Sequence, residues 1–251
     1  MKITFLGTSH GKPEPKRATS STAIQVGGST YLIDAGAPVV NKMIDSGIDI
    51  ESVKAVFITH THRDHVSGLV DLTRVVNIDK IFPNAGVDYY FPEVNAIEAL
   101  QEYSAAVMQP IRPEVNRFHL FDEGLVYEDE NIKLYAIPTA HLKSLGRPSY
   151  AFYIECEGKR ILFSGDLSQR LLENDFPKIA SEKEIDLFVC ELAHFDFDML
   201  RPYLLKSKLK TVYFHHMVLH AERIPGIKQA ADSGELPFEV GIANDGDVVY
   251  L

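Results

Sequence analysis

Long apolar runs are missing from this chain. No stretch approaches the roughly 18 residues needed to cross a bilayer, so the sequence argues against a membrane partner. Cysteine is scarce too: Cys156 and Cys190 are the only two, both inside apolar strand-like runs. That excludes a disulfide-stapled secreted scaffold and fits buried thiols in a reducing compartment, with the cytoplasm the expected location. Basic charge is also in short supply. With 25 Lys and Arg against 35 Asp and Glu, the net charge is −10, and an acidic surface repels long polyanions. Internal repeats, low-complexity segments and obvious linkers are absent. The N-terminus, Met1 to Gly7, has one Lys and a short apolar stretch, which reads as a first strand and not as a signal peptide.

What the chain does have is ordinary globular material, 45% hydrophobic over 251 residues. A chain of this size buries roughly 73% of its unfolded surface, so a full core is available and a single domain over 1–251 is the economical reading. β-branched runs cut by Gly, Pro and Asp/Asn predict strands at Lys2–Thr8, Ala23–Val26, Thr30–Ile33, Ala55–Thr59 and Lys80–Phe82. Helical spacing predicts helices over Pro38–Ser46, Val66–Val76 and Glu93–Val107. Residues 115–165 read as four strands: Asn116–Leu120, Ile132–Ala136, Ser149–Glu155 and Arg160–Ser164. Strand and helix then alternate, with Leu187–Cys190, Met199–Lys206, Thr211–Phe214 and Ile227–Asp232 in turn. Phe238–Ala243 and Asp247–Leu251 are expected to form a hairpin through Asn244-Asp245-Gly246. Two packed sheets flanked by helices account for this pattern. The 83–115 stretch is the most loop-like.

The ten histidines are unevenly spread, and three fall in His60-Thr61-His62-Arg63-Asp64-His65. An H-x-H-x-D-H pattern arises in about one shuffled chain per thousand of this composition, which lifts it above the usual false positives of short motifs. His60 and His62, two apart in extended chain, can point the same way, and Asp64 and His65 fall where a helix begins. One zinc ion does not readily use all four, because a catalytic site takes three protein ligands and leaves a position open. Two ions about 3.5–4 Å apart would use them all. Further polar residues sit at the ends of apolar runs: Asp34, His141, Asp166, Glu191, and His215 with His216. If these strand ends share one edge, their loops converge on one cleft.

The order H-x-H-x-D-H, His, Asp, His resembles the metallo-β-lactamase fold superfamily of hydrolases. Phe5-Leu6-Gly7-Thr8, Leu32-Ile33-Asp34-Ala35-Gly36, Ser164-Gly165-Asp166 and Ile242-Ala243-Asn244-Asp245-Gly246 resemble stretches of the same family, so the likeness covers almost the whole chain. Gly7-Thr8 followed by Pro13, Arg17 and Ser20-Ser21 is most similar to the ribonuclease Z and small phosphodiesterase branch. The resemblance implies an α/β (α+β) fold, a four-layer αββα sandwich of two mixed β-sheets flanked by helices. It further implies His60, His62 and His141 on one divalent metal, Asp64, His65 and a late histidine on another, and Asp166 bridging. The late histidine is His215 or His216, with His216 at the family's spacing. Zinc is the expected metal, with manganese or iron as alternatives, and Asp34 would orient a ligand without touching metal.

The activity implied is hydrolysis by a hydroxide bridging the two metals, with Asp64 accepting its proton and a loop histidine (His194, His220 or His10) acting as the acid. Departures from ribonuclease Z shape the substrate expectation. That family carries a His-Glu pair where this chain has Cys190-Glu191. Met217 to His220 lacks the family's Ser and Arg, and no Gly/Pro/Lys-rich arm lies between Leu69 and His141. A small or cyclic nucleotide-like phosphodiester is therefore expected ahead of tRNA or other long nucleic acid. A lactonase or thioester hydrolase, an oxygen-binding di-iron protein and a non-catalytic metal-binding protein are the competing readings. A homodimer is implied by resemblance alone.

Plain structural readings apply to several other residues. Glu191 is expected to be structural or to support a metal ligand from behind, His119 an ordinary strand histidine, Lys16 and Arg17 solvated loop cations, and Tyr89-Tyr90-Phe91 a packing cluster. His10 stands open between substrate contact and plain loop residue.

Overall fold

The computed structural model describes residues 1–12, 14–78, 82–217 and 220–251. They form two compact units, Met1–Asp122 with Asn244–Tyr250, and Glu123–Ala243 with Leu251.

The first unit is built on a mixed seven-stranded sheet: β1 (Lys2–Gly7), β2 (Ser21–Val26), β3 (Ser29–Ile33), β4 (Val53–Phe57), β5 (Val87–Phe91), β6 (Asn116–Leu120) and β14 (Val248–Tyr250). The order is β14-β1-β2-β3-β4-β5-β6. Pairing is antiparallel from β14 to β3 and parallel from β3 to β6. Parallel neighbours need crossovers, and helices supply them: α1 (Val39–Asp45), the short α2 (Arg63–Val66), α3 (Leu69–Val76) and α4 (Val94–Ala106). On α3 the buried residues are Leu69, Leu72, Thr73 and Val76, one face at helical spacing. They pack against Leu32, Val56 and Tyr89 of the sheet and Met43 of α1.

The second unit repeats the scheme with β7 (Gly124–Glu128), β8 (Ile132–Pro138), β9 (Tyr150–Cys156), β10 (Lys159–Phe163), β11 (Ile185–Leu192), β12 (Leu209–Met217) and β13 (Glu239–Ile242). Its order is β13-β12-β11-β10-β9-β8-β7, antiparallel from β7 to β10 and parallel from β10 to β13. The crossovers carry α5 (Ile179–Glu182), α6 (Phe197–Leu205) and α7 (His220–Asp232). Phe188, Val212 and Phe214 of the sheet form a core with Leu200 and Leu204 of α6 and Ile227 of α7. Among the described residues, no helix is long and apolar enough to cross a membrane.

Four expectations are corrected. The C-terminal hairpin does not form: β13 runs parallel to β12 in one sheet, and β14 runs antiparallel to β1 in the other. The turn between them is held elsewhere. Asp245 accepts the Thr8 N–H at 3.0 Å, the Thr8 hydroxyl at 2.9 Å and the Ala18 N–H at 2.6 Å, while the Gly246 N–H donates to the Phe5 carbonyl. Val87–Phe91 is a strand where the sequence reads loop and packing cluster; Tyr89 and Phe91 face the helical core as expected of packing residues. Residues 115–165 hold five strands, because the largely exposed edge strand β7 carries too little apolar pattern to be read. The helix expected over Val66–Val76 starts at Leu69, and the Gly68 N–H ahead of it donates to Ala35 beyond β3. Of the strand expected at Lys80–Phe82, Lys80 and Ile81 lie outside the described residues.

Candidate metal centre

In open sheets, binding residues gather beyond the carboxyl ends of parallel strands, and His60 after β4 and Asp166 after β10 follow this rule. In the first unit, β4 runs through Ile58 and Thr59 to His60, which is completely buried. His62 follows in extended conformation as the residue before α2, whose first turn carries Asp64 and His65, both buried. His60 Nε2 lies 3.1 Å from His62 Nδ1, and the His60 and His65 rings are 4.1 Å apart.

Asp34, at the end of β3 with φ +59°, organises this group. Its Oδ1 accepts the Thr59 N–H at 2.8 Å, and its Oδ2 lies 2.7 Å from His65 Nδ1. A carboxylate only accepts, so His65 Nδ1 carries the hydrogen and the Nε2 lone pair faces away from Asp34, 3.6 Å from Asp64 Oδ2. The Thr59 hydroxyl also donates to Asp34 and therefore accepts from His60 Nδ1 at 3.1 Å, which leaves the His60 Nε2 lone pair beside His62. Gly36 is required where it stands: an added Cβ would lie 2.2 Å from the Asp64 carbonyl oxygen.

The N-terminal loop also reaches this group, since a Cβ on Gly11 would sit 3.2 Å from Asp64 Oδ2. His10 is occupied within the loop, its Nε2 3.2 Å from Glu14 Oε1 and its Nδ1 accepting the Lys12 N–H at 3.0 Å. Arg17 corrects the expectation of a solvated cation: its guanidinium is tucked against Glu14 and the Thr8 carbonyl, with Nε donating to the Thr8 hydroxyl at 3.2 Å. Burial pushes the Glu14 carboxyl up, but the Arg17 contact outweighs it and holds the group below the usual carboxylate range.

In the second unit four side chains converge. His141, just beyond β8, donates from Nδ1 to the Leu167 carbonyl at 3.1 Å and turns Nε2 to within 3.6 Å of Asp166 Oδ2. Asp166 follows β10 and is buried. His216 Nε2 is 3.4 Å from the other oxygen of Asp166. A β-bulge sets the two late histidines in different directions. Pairing steps from Glu191↔His215 to Leu192↔Met217, so His216 has no opposite number and takes φ +48°. The bulge aims His216, not His215, at Asp166.

His194 is the fourth, with Nε2 3.8 Å from Asp166 Oδ2 and its ring 4.5 Å from that of His141. Glu191 places it. This fully buried carboxylate accepts from Leu167 N at 2.8 Å, Ala193 N at 2.8 Å and His194 Nδ1 at 2.9 Å. Donor atoms of Asp166, Glu191 and His194 lie within 4.8 Å of one another, and the Glu191 oxygens accept from loop N–H groups and from the His194 ring. Cys190, where ribonuclease Z-like chains have a histidine, is completely buried, and burial pushes its thiol well up, so it stays protonated and inert. His119 is an ordinary strand histidine bonded to Asp88 at 2.7 Å and stacked on Tyr90. The His220 side chain lies outside the described part of the chain.

Both groups suit a divalent cation. His65 and His141 each spend Nδ1–H on a protein acceptor and present Nε2 beside a carboxylate, the arrangement of carboxylate- or carbonyl-buttressed metal ligands. Imidazole and carboxylate donors together accept zinc, manganese or iron. Two supporting residues escaped the sequence reading. Thr59 carried a weak signal, as a polar residue ending an apolar strand directly before His60. Asp175 carried none, since it lies in a polar loop without periodicity.

Comparison with known proteins places the chain. A family model, the anti-Pycsar protein Apyc1, matches residues 1–224, and the chain belongs to that family. Ribonuclease Z of Shouchella clausii (strain KSM-K16) is 32% identical over 167 residues, which is 63% of this chain and 49% of the relative. The chain thus spans about half the length of the curated relatives it matches. Among solved structures, the metallo-β-lactamase fold protein YhfI from Bacillus subtilis superposes with a TM-score of 0.79 at 18% identity, covering 99% of each chain. Human tRNase Z, short form, gives 0.74 at 20% identity over 100% of this chain and 99% of its own. The fold is that of the metallo-β-lactamases, and the chain sits near the ribonuclease Z branch as the sequence resemblance implies.

Proposed function

We propose that this member of the family is a metal-dependent hydrolase of phosphodiesters, acting on a small or cyclic nucleotide-like substrate. The observation that carries the reading is the set of buttressed histidines, His65, His141 and His194, each with Nε2 turned toward a buried carboxylate. In this reading His60, His62 and His141 hold one ion, Asp64, His65 and His216 hold the other, and Asp166 serves both. Zinc is the favoured metal, with manganese or iron as alternatives. When bound, such ions lower the pKa of water toward neutrality and polarise a phosphoryl oxygen.

The residues supply the rest. Asp64 takes a proton from the attacking water on a carboxylate oxygen. His194 gives one from Nε2 to the leaving oxygen, while Glu191 keeps Nδ1 engaged so that the ring cannot turn away. The net charge of −10 and the lack of a basic arm favour a small diester over a long polyanion. Free, buried Cys156 and Cys190 are in keeping with the cytoplasm, and the resemblance favours a homodimer.

A second reading, a ribonuclease Z-type tRNA 3′ endonuclease, is favoured by the 32% identity to the Shouchella clausii protein. Assays of zinc- and manganese-loaded protein on bis-p-nitrophenyl phosphate, cyclic nucleotides and precursor tRNA separate the two. Turnover of the small diesters with tRNA intact is expected. Cleavage of tRNA alone moves the assignment to the second reading, and no metal-dependent turnover on any of them overturns both.

A further inference from the structure

His141 and Asp166 are carried by loops that leave β8 and β10. These strands are not neighbours, because β9 lies between them, so no ladder of hydrogen bonds fixes one loop against the other. Three contacts do. The Thr139 hydroxyl donates to the Asp166 carbonyl at 3.0 Å, and His141 Nδ1 donates to the Leu167 carbonyl at 3.1 Å. The third comes from farther along the connection that follows β10. Asp175 Oδ1 accepts the N–H of Ala140 at 2.9 Å, and its Oδ2 accepts the N–H of Ser168 at 2.6 Å.

Ala140 directly precedes His141, and Ser168 lies two residues after Asp166. Two backbone donors pointed at one spot repel each other unless an acceptor sits between them. A carboxylate, with an oxygen for each and a negative charge to shorten both bonds, is the strongest acceptor available. The chain returns to that spot through the 3₁₀ segment Gln169–Asn174, which delivers Asp175 directly.

We infer that Asp175 is a positioning residue, a carboxylate clamp that sets the spacing of His141 and Asp166 and thereby the affinity of the ion they share. The inference rests on the metal-holding role proposed above. An amide cannot replace the carboxylate here. Asp175→Asn offers one acceptor and one NH₂ group, and the NH₂ meets a backbone N–H head-on, so one loop is released. Changes of this kind behind a metal ligand weaken metal binding about 10–100-fold.

The test is a chelator competition titration of the zinc-loaded full chain. It compares wild type with Asp175→Asn and with Asp186→Asn. Asp186 likewise accepts a backbone N–H, from Arg160 at 2.9 Å, but it stands at the opposite, amino-terminal end of β11. Asp175→Asn is expected to surrender one of two ions about 10–100-fold more readily than wild type, with Asp186→Asn unchanged. Equal zinc affinity in wild type and Asp175→Asn overturns the clamp while leaving the hydrolase reading intact. Equal weakening in both variants also overturns it, since any lost carboxylate would then do the same. A wild type that binds no zinc, manganese or iron removes the hydrolase reading and the clamp together. Amide hydrogen exchange on the wild type covers the case of a variant that does not fold. The Ala140 and Ser168 amides are expected to be protected, and fast exchange at either one contradicts the clamp.

Discussion

His194 and Glu191 form a pair in which the acid fixes the base: the ring gives its Nδ1 hydrogen to a completely buried carboxylate at 2.9 Å and turns Nε2 toward Asp166, 3.8 Å away. Directly before Glu191, where the resemblance to ribonuclease Z implies a histidine, stands the buried thiol of Cys190. The carboxylate that holds the His194 ring lies within β11.

This pair gives the first prediction. If His194 protonates the leaving oxygen, His194→Ala lowers kcat about 100-fold or more on diesters with a poor alkoxide leaving group. It has much less effect on p-nitrophenyl diesters, whose leaving group needs no proton. Steady-state rates on the two classes check this, and equal losses on both would rule out an acid role.

Asp34 and His65 give the second. Asp34 fixes the His65 tautomer and also takes two hydrogen bonds from Thr59. Asp34→Ala is expected to weaken metal binding about 10–100-fold by freeing the ring. Zinc competition with a chromogenic chelator measures it, and unchanged affinity would show that His65 holds no ion.

A third prediction concerns pH and lies away from the metal ligands. Asp88 on β5 bonds Arg117 at 2.6 Å and His119 at 2.7 Å. Burial pushes its carboxyl up, but the Arg117 and His119 hydrogen bonds outweigh burial and hold it below the usual range. A depressed folded value stabilises above the unfolded carboxyl's pKa of about 3.9 and is lost as pH falls through the folded value. Wild type should exceed Asp88→Asn by about 0.2–1 kcal/mol at pH 7, and the gap should close below about pH 4. Denaturant unfolding at both pH values checks it. A gap that persists in acid contradicts the ion-pair account.

The legible part of this protein was the part with local periodicity or local chemistry. The α3 face of Leu69, Leu72 and Val76 and the strands of both cores follow from spacing alone. H-x-H-x-D-H is readable because it lies in one short segment. What escaped was set by distant partners. Asn244-Asp245-Gly246 has good turn chemistry, but Thr8 and Ala18 bind Asp245 and send the chain to another sheet. The aim of His216 depends on a bulge against β11, and Asp175 acts through backbone N–H groups whose positions no side-chain pattern encodes.

The central claim is that these histidines and carboxylates hold two divalent ions. Metal content by inductively coupled plasma mass spectrometry, on wild type and His62→Ala in parallel, tests it most directly. The account predicts about two zinc, manganese or iron ions per chain in wild type, as two-metal hydrolytic sites require, and a sharp fall in the variant. No metal in either protein, even after reconstitution, would contradict it.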